Sequence, residues 1–404
     1  MAKYQVFSED IRSGELMKEF IKSVMKKEKQ EVIRLRRELH KRAELSCEEY
    51  KTAEFVEEYL HGLGLSTKRA FNTGVVSYLD AGKEKTVLLR ADMDALPMVE
   101  LHDVEYKSQT EGVMHACGHD AHMAVLLCSA KVFVENLDKL NVNILFVFQP
   151  AEETDGGAEP MLREGILDGL NVVEATGLHV MNDVPVGKIM IKPGALMSSP
   201  DDFVIKITGR GGHGSAPEKC LDPIPVAASI IDDLNAISRQ VIIEGERQVV
   251  QVCMFNAGTS CNIIPDVAEL RGTTRSFVDG VRLEIPKLME AVVKNACDRE
   301  GFTYEFQFNF RYPPLINDAG VAAKMKNAVD ENIGDIVLTW ENPVMTGEDF
   351  AYFAKEIPAN FFFLGTGNEE KGITAPLHNS QFDIDEDGLI VGVGVYISYI
   401  LGAF

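Results

Sequence analysis

Positive charge is in short supply: 40 Lys and Arg stand against 62 Asp and Glu, a net charge of −22 at pH 7. A chain this acidic lacks the basic surface that phosphate backbones require, which excludes nucleic acid as a partner. Cysteine is sparse, seven residues at irregular spacing, so no disulfide framework is implied. No apolar run approaches bilayer-spanning length, which excludes a membrane role. The polar N-terminal stretch around Ser8-Glu9-Asp10 has no apolar core of the kind a secretion signal carries. Together these absences predict a soluble protein of the reducing cytoplasm. Repeats and low-complexity tracts are missing as well.

At 404 residues the chain is long for one core, and two domains are expected. Helical patterns cover Glu15–Lys27, Gln30–His40 and Glu48–Leu63. Buried-strand patterns at Thr86–Leu89 and Asn143–Phe148 then alternate with a helix over Ala121–Leu137, which argues for an α/β domain with a mainly parallel sheet. Between Ser198 and Phe310 the texture changes to β-α-β-β-α-β, the order of a ferredoxin-like unit. Residues 198–310 therefore read as a domain inserted into a discontinuous one made of 1–197 and 311–404, with hinges near Gly194 and Tyr312-Pro313-Pro314.

Histidine is scarce, nine in all, yet three of them crowd into Met114-His115-Ala116-Cys117-Gly118-His119-Asp120-Ala121-His122 with a thiol and a carboxylate. Thiolate with imidazole suits zinc and other late first-row ions. Cys117 and His119, two apart, would not share a helix face but can converge from an extended loop. Spacing alone does not say which histidines bind; His115 and His122 fit a supporting role equally well. Asp92 and Asp94 end one apolar strand, and Glu152 and Glu153 follow another. Ligands of open α/β sheets bind at the carboxyl ends of strands, so these four carboxylates point to one site. On a regular strand Glu152 and Glu153 would face apart, so the turn after Pro150 must aim both inward. His179 and His378 stand alone in sequence, and His40, His61 and His102 have no motif around them.

In order along the chain, Arg36-Arg37-Glu38-Leu39-His40 with Glu44-Leu45-Ser46, Arg90-Ala91-Asp92-Met93-Asp94, Met114–Asp120, Phe148-Gln149-Pro150-Ala151-Glu152-Glu153, Gly211-Gly212-His213, Cys261-Asn262-Ile263-Ile264-Pro265, Gly347-Glu348-Asp349-Phe350 and Leu377-His378-Asn379 resemble the M20 metallopeptidases of the amidohydrolase subgroup: aminoacylases, hippurate hydrolases and auxin-conjugate hydrolases. The resemblance implies an aminopeptidase-like catalytic domain with a mixed, mainly parallel sheet, carrying an inserted ferredoxin-like lid and dimerisation domain. It implies two divalent metal ions (Zn, Mn, Co or Ni) held by Cys117, His119, Glu153, His179 and His378, with Cys117 bridging. Glu152 would be the general base toward the attacking water, and Asp94 would orient a ligand. His213 would stabilise the oxyanion in its own or a partner subunit's site, and Asn262 and Arg275 would hold the substrate's α-carboxylate. Asp92 occupies the place of a metal-binding histidine in the wider superfamily and is not expected to ligate.

The activity so implied is cleavage of an N-acyl-L-amino acid to a carboxylate and a free amino acid, by a homodimer or higher homo-oligomer. An aminopeptidase or dipeptidase on the same scaffold, and a metal-binding protein without activity, are the alternatives. Ala43 and Cys47 depart from the family pattern outside the chemistry, and Glu218 departs where the substrate mouth is expected.

Overall fold

The computed structural model describes residues 14–154 and 156–404. The polar Ser8-Glu9-Asp10 stretch lies outside the described residues. The chain divides into two compact units: one is built from residues 14–194, Asn317–Glu341 and Tyr352–Phe404, the other from Ala195–Ile316 and Asn342–Ala351. Compared with the division read from sequence, the second unit starts three residues earlier, ends six later, and takes in the segment 342–351 that had been assigned to the first.

The first unit opens with helix α1 (Gly14–His40) and helix α2 (Tyr50–Gly62). The two helical patterns expected before His40 form one continuous helix, because Glu28-Lys29 between them are good helix formers and no breaker intervenes. Strands β1 (Thr67–Ala70), β2 (Gly74–Leu79) and β3 (Thr86–Asp92) follow, then helix α3 (His119–Glu135), strand β4 (Asn143–Gln149) and strand β5 (Val172–Pro185). The eight-stranded sheet runs β1-β2-β4-β3-β5, then Ala359–Gly367, Ile189–Met190 and Val337–Leu338. Its centre is parallel: β4 with β3, β3 with β5, and β5 with Ala359–Gly367. Every residue of β3 and β4 is buried, which is why both read as continuous apolar runs rather than alternations. Helix α3 is buried on nearly all sides, between α1, the sheet and the C-terminal helix Leu389–Gly402. Its Ala, Val, Leu and Cys content follows from having no wet face.

The second unit is a four-stranded antiparallel sheet in the order Gln248–Ala257, Val267–Ser276, Ser199–Thr208, Thr303–Asn309. Helices Pro223–Ile237 and Asp279–Glu300 complete the β-α-β-β-α-β order expected from the sequence. Ser199–Thr208 alternates buried and half-buried residues along its length, the pattern of a sheet covered by helices on one face. Among the described residues, no helix is long and apolar enough to cross a membrane.

Candidate metal centre and active site

Five segments of the first unit deliver side chains to one place, past the carboxyl ends of β3 and β4 and beside the middle of β5. Cys117 and His119 flank Gly118, whose φ of +87° caps α3. A Cβ at Gly118 would sit 2.3 Å from the Val180 side chain, so only glycine fits. That left-handed residue keeps Cys117 outside the helix while His119 begins it, and so resolves how two positions unsuited to one helix face converge.

The donor atoms are close. Cys117 Sγ lies 3.3 Å from His179 Nε2 and 3.3 Å from His378 Nε2. Glu153 Oε1 is 3.3 Å from His378 Nε2 and 3.8 Å from His119 Nε2. Cys117 belongs both to a group with His119 and His179 and to a group with Glu153 and His378. Glu152 joins His119 and Glu153 in a further group.

Two of the imidazoles are oriented by their other nitrogen. His119 Nδ1 donates to the Asp94 carbonyl at 2.8 Å, and His179 Nδ1 donates to the Val180 carbonyl at 2.6 Å. Both Nε2 lone pairs therefore face the pocket. His122 is different. Its Nδ1 donates to Asp92 at 2.6 Å, and its Nε2 accepts the Val180 N–H at 2.9 Å. With both nitrogens committed, His122 buttresses β3 against β5 and has no lone pair to offer. His115 is buried with neither ring nitrogen hydrogen-bonded among the described residues, and burial drops its pKa to about 3, so it is a neutral ring.

The electrostatics favour a cation. Burial works against charge on His119, yet Asp92, Asp94 and Glu153 around it raise its pKa to about 10. Burial together with Glu153 and Glu152 pushes the Cys117 thiol well above its ordinary value, so a thiolate there needs positive charge beside it. Among the described residues, His119 Nε2 and Glu153 Oε1 are buried with no hydrogen-bond partner. Bonds of 2.0–2.3 Å arranged tetrahedrally place donor atoms about 3.3–3.8 Å apart, the spacing seen here, so the residues present fit a divalent transition metal.

Carboxylates support this pocket from behind. Asp94 accepts from Ser46 Oγ at 2.6 Å and from the backbone amides of Glu152 and Glu153 at 3.1 and 3.0 Å. Burial opposes its ionisation, but these donors and His119 hold it below the usual carboxylate range. Asp92 is bound by Arg90 at 2.7 Å, which Gln149 in turn holds at 2.9 Å. Asp120, next to His119, is bound by Arg36 at 2.8 Å and His40 at 2.7 Å. Sequence reasoning gave no role to Ser46, Arg90, Gln149, Asp120 or Arg36 and left His40 without a motif. The signal was present, since Arg36, His40, Ser46, Arg90, Asp120 and Gln149 all lie in the matched segments.

In the second unit, His213 and Asn262 are neighbours. Gly212-His213 pairs with Ile263-Ile264, and the Gly214 N–H donates to the Asn262 carbonyl at 2.8 Å. His213 is exposed and accepts from the Ser215 hydroxyl at 2.8 Å. Arg275 sits apart from this pair on Val267–Ser276. Its guanidinium donates to the Met345 carbonyl at 3.1 Å, the Thr274 carbonyl at 2.9 Å and the Thr273 hydroxyl.

An α/β unit that gathers thiol, imidazole and carboxylate donors beside the ends of its central strands defines a metal-dependent hydrolase of amide bonds. The chain belongs to Peptidase family M20/M25/M40, whose model matches residues 88–402. It is 40% identical over 380 residues to thermostable carboxypeptidase 2 of Saccharolobus solfataricus, covering 93% of this chain and 95% of that one. It is 42% identical over 305 residues to N-acyl-L-amino acid amidohydrolase of Geobacillus stearothermophilus, covering 75% and 82%. Among solved structures it resembles the Bacillus subtilis YXEP protein, described as a dinuclear metal binding peptidase from the M20 family, with TM-score 0.80, 30% identity, and 94% and 98% of the two chains covered.

Proposed function

We propose that this chain hydrolyses N-acyl-L-amino acids to a carboxylate and a free amino acid, using two divalent metal ions and Glu152 as general base. The observation that carries the reading is the membership of Cys117 in two donor groups, with His119 and His179 on one side and Glu153 and His378 on the other. When bound, such ions polarise a carbonyl and make water more acidic.

The chain's own residues do the rest. Glu152 takes the proton of the attacking water and returns it to the leaving amine. Asp94 fixes His119 through its carbonyl, and fixes Glu152 and Glu153 through their amides. Cys117, His179 and His378, together with His119 and Glu153, would hold the ions, His119 and His179 being oriented by the hydrogen bonds of their Nδ1 atoms. In the second unit, His213 is the oxyanion donor, and Asn262 and Arg275 receive the substrate's α-carboxylate. The edge strand Gln248–Ala257, with Met254 and Phe255 exposed, supports a homodimer through this unit. A cytoplasmic setting suits the seven free thiols.

A second reading has support. The 40% identity to a protein named a carboxypeptidase favours release of a C-terminal amino acid from a blocked peptide. Both substrates present an amide beside a free α-carboxylate. A panel of N-acetyl and N-benzoyl amino acids, N-blocked dipeptides and free dipeptides separates the readings. Turnover of free dipeptides alone would sink both and leave the dipeptidase alternative. Glu152→Gln should keep the metal and lose turnover; an unchanged rate removes Glu152 from its role.

A further inference from the structure

The turn that brings Glu152 and Glu153 into the pocket is not a relaxed one. Ala151 has φ of +58°, a left-handed conformation that is unfavourable for a residue with a Cβ. Such geometry persists only where its surroundings over-determine it. Three consecutive backbone N–H groups leave this turn for buried carboxylates. Those of Glu152 and Glu153 go to Asp94, and that of Ala151 goes to Glu49 Oε1 at 2.9 Å. The reversal at Ala151 breaks the strand alternation, and a donor atom of each glutamate comes within 4.8 Å of the other and of His119.

Glu49 is an unusual partner. It occupies the N-cap position of α2, where Ser, Thr, Asp or Asn is the ordinary choice, and its side chain makes no hydrogen bond to that helix. It is fully buried instead, with Oε2 accepting from the Thr73 hydroxyl at 2.6 Å and Oε1 accepting from the Cys47 N–H at 3.0 Å. The side chain has given up capping its own helix and reaches a turn 102 residues away in sequence.

We propose that Glu49 is a positioning residue for the Glu152–Glu153 turn, holding Ala151 left-handed so that the general base and its neighbouring ligand both face the pocket. The proposal rests on the roles given above to Glu152 and Glu153. Its test compares wild type, Glu49→Gln and Glu49→Ala in kcat and KM on an N-acyl amino acid that wild type turns over. The same three proteins, stripped of metal, are titrated with Mn²⁺ by calorimetry. Gln keeps an oxygen for the Ala151 N–H, and Ala does not.

In Glu49→Ala, kcat falls about 10- to 100-fold and Mn²⁺ affinity falls by about tenfold, as loss of a supporting partner does. KM stays within about threefold, and Glu49→Gln recovers both losses. Wild-type kcat and Mn²⁺ affinity in folded Glu49→Ala, whatever its melting temperature, overturn the proposal. Should that variant fail to accumulate, Glu49→Asp takes its place: it keeps the charge but shortens the side chain by one methylene and withdraws the carboxylate from the Ala151 N–H. An equal loss supports the proposal and no loss overturns it. A fully active Glu152→Gln enzyme would instead sink the general-base assignment, and the Mn²⁺ titration would still report whether Glu49 aims Glu153.

Discussion

Replacing Arg36 with methionine removes the cation at the centre of a buried charge network while keeping most of the side chain's apolar volume. Arg36 is fully buried, 2.8 Å from Asp120, 2.9 Å from Asp383 and 3.5 Å from Glu386. Its guanidinium also lies 4.7 Å from the centre of the Tyr106 ring. Removing one partner of a buried ion pair costs about 3–5 kcal/mol, because the charge left behind is uncompensated. Two features hold the loss toward the lower end. His40 remains 2.7 Å from Asp120, and Asp383 keeps the Tyr106 hydroxyl at 2.8 Å. The lost cation–π contact adds about 1 kcal/mol. The sum, about 4 kcal/mol, is a large share of a typical stability of roughly 5–15 kcal/mol. Urea unfolding of the metal-loaded enzyme, followed by circular dichroism, should show the first unit melting at much lower denaturant. A double-mutant cycle with Asp383→Asn should return a coupling of about 1–3 kcal/mol. An Arg36→Met enzyme as stable as wild type, or more so, refutes the reasoning: it would mean that desolvating the guanidinium cancels everything its partners return.

Other outcomes follow from the same geometry. Chelation should lower the melting temperature of the enzyme and two equivalents of Mn²⁺ or Zn²⁺ should restore it, since a ligand at 1,000 times its Kd stabilises by about 4 kcal/mol; a melting temperature indifferent to metal contradicts the pocket. For His40, burial lowers the pKa, but Asp120 and Glu100 outweigh burial and the nearby Arg36 and raise it above the ordinary imidazole value. A raised folded value means that its stabilisation is complete below about pH 6.5 and is lost as pH rises through the folded value. Melting temperature should therefore decline on the alkaline side, and His40→Gln should flatten that decline; an unaltered slope in the variant counts against it. Gly118→Ala should destabilise and lose metal together, because its Cβ would strike Val180 at a left-handed position; calorimetric titration with Zn²⁺ reads the loss, and wild-type affinity would show that the backbone there adapts.

Much of this protein was legible without coordinates. The continuous apolar runs of β3 and β4 announced strands buried on both faces, and the polar residues that end them marked the site's rim. The crowding of Cys117, His119 and His122 announced a metal, because few other environments gather a thiol and imidazoles so closely. The β-α-β-β-α-β texture announced the second unit, since period-two and period-3.6 patterns differ plainly. What the sequence could not supply is whatever depends on contacts between distant segments. His179 and His378 look ordinary in their own neighbourhoods; only the parallel sheet and the returning chain put both within 3.3 Å of Cys117. His122 looks as much like a ligand as His119 does. Tertiary structure tells their rings apart, because Asp92 and the Val180 amide engage both nitrogens of His122, whereas His119 is bonded to the Asp94 carbonyl through Nδ1. The strain at Ala151 and its restraint by Glu49 leave no local trace, since a residue's φ is set by what surrounds it rather than by its name. Residue types thus determined which chemistry this chain carries, and the fold determined which copies of those residues are free to perform it, since a side chain's hydrogen-bond partners exist only after distant strands have met.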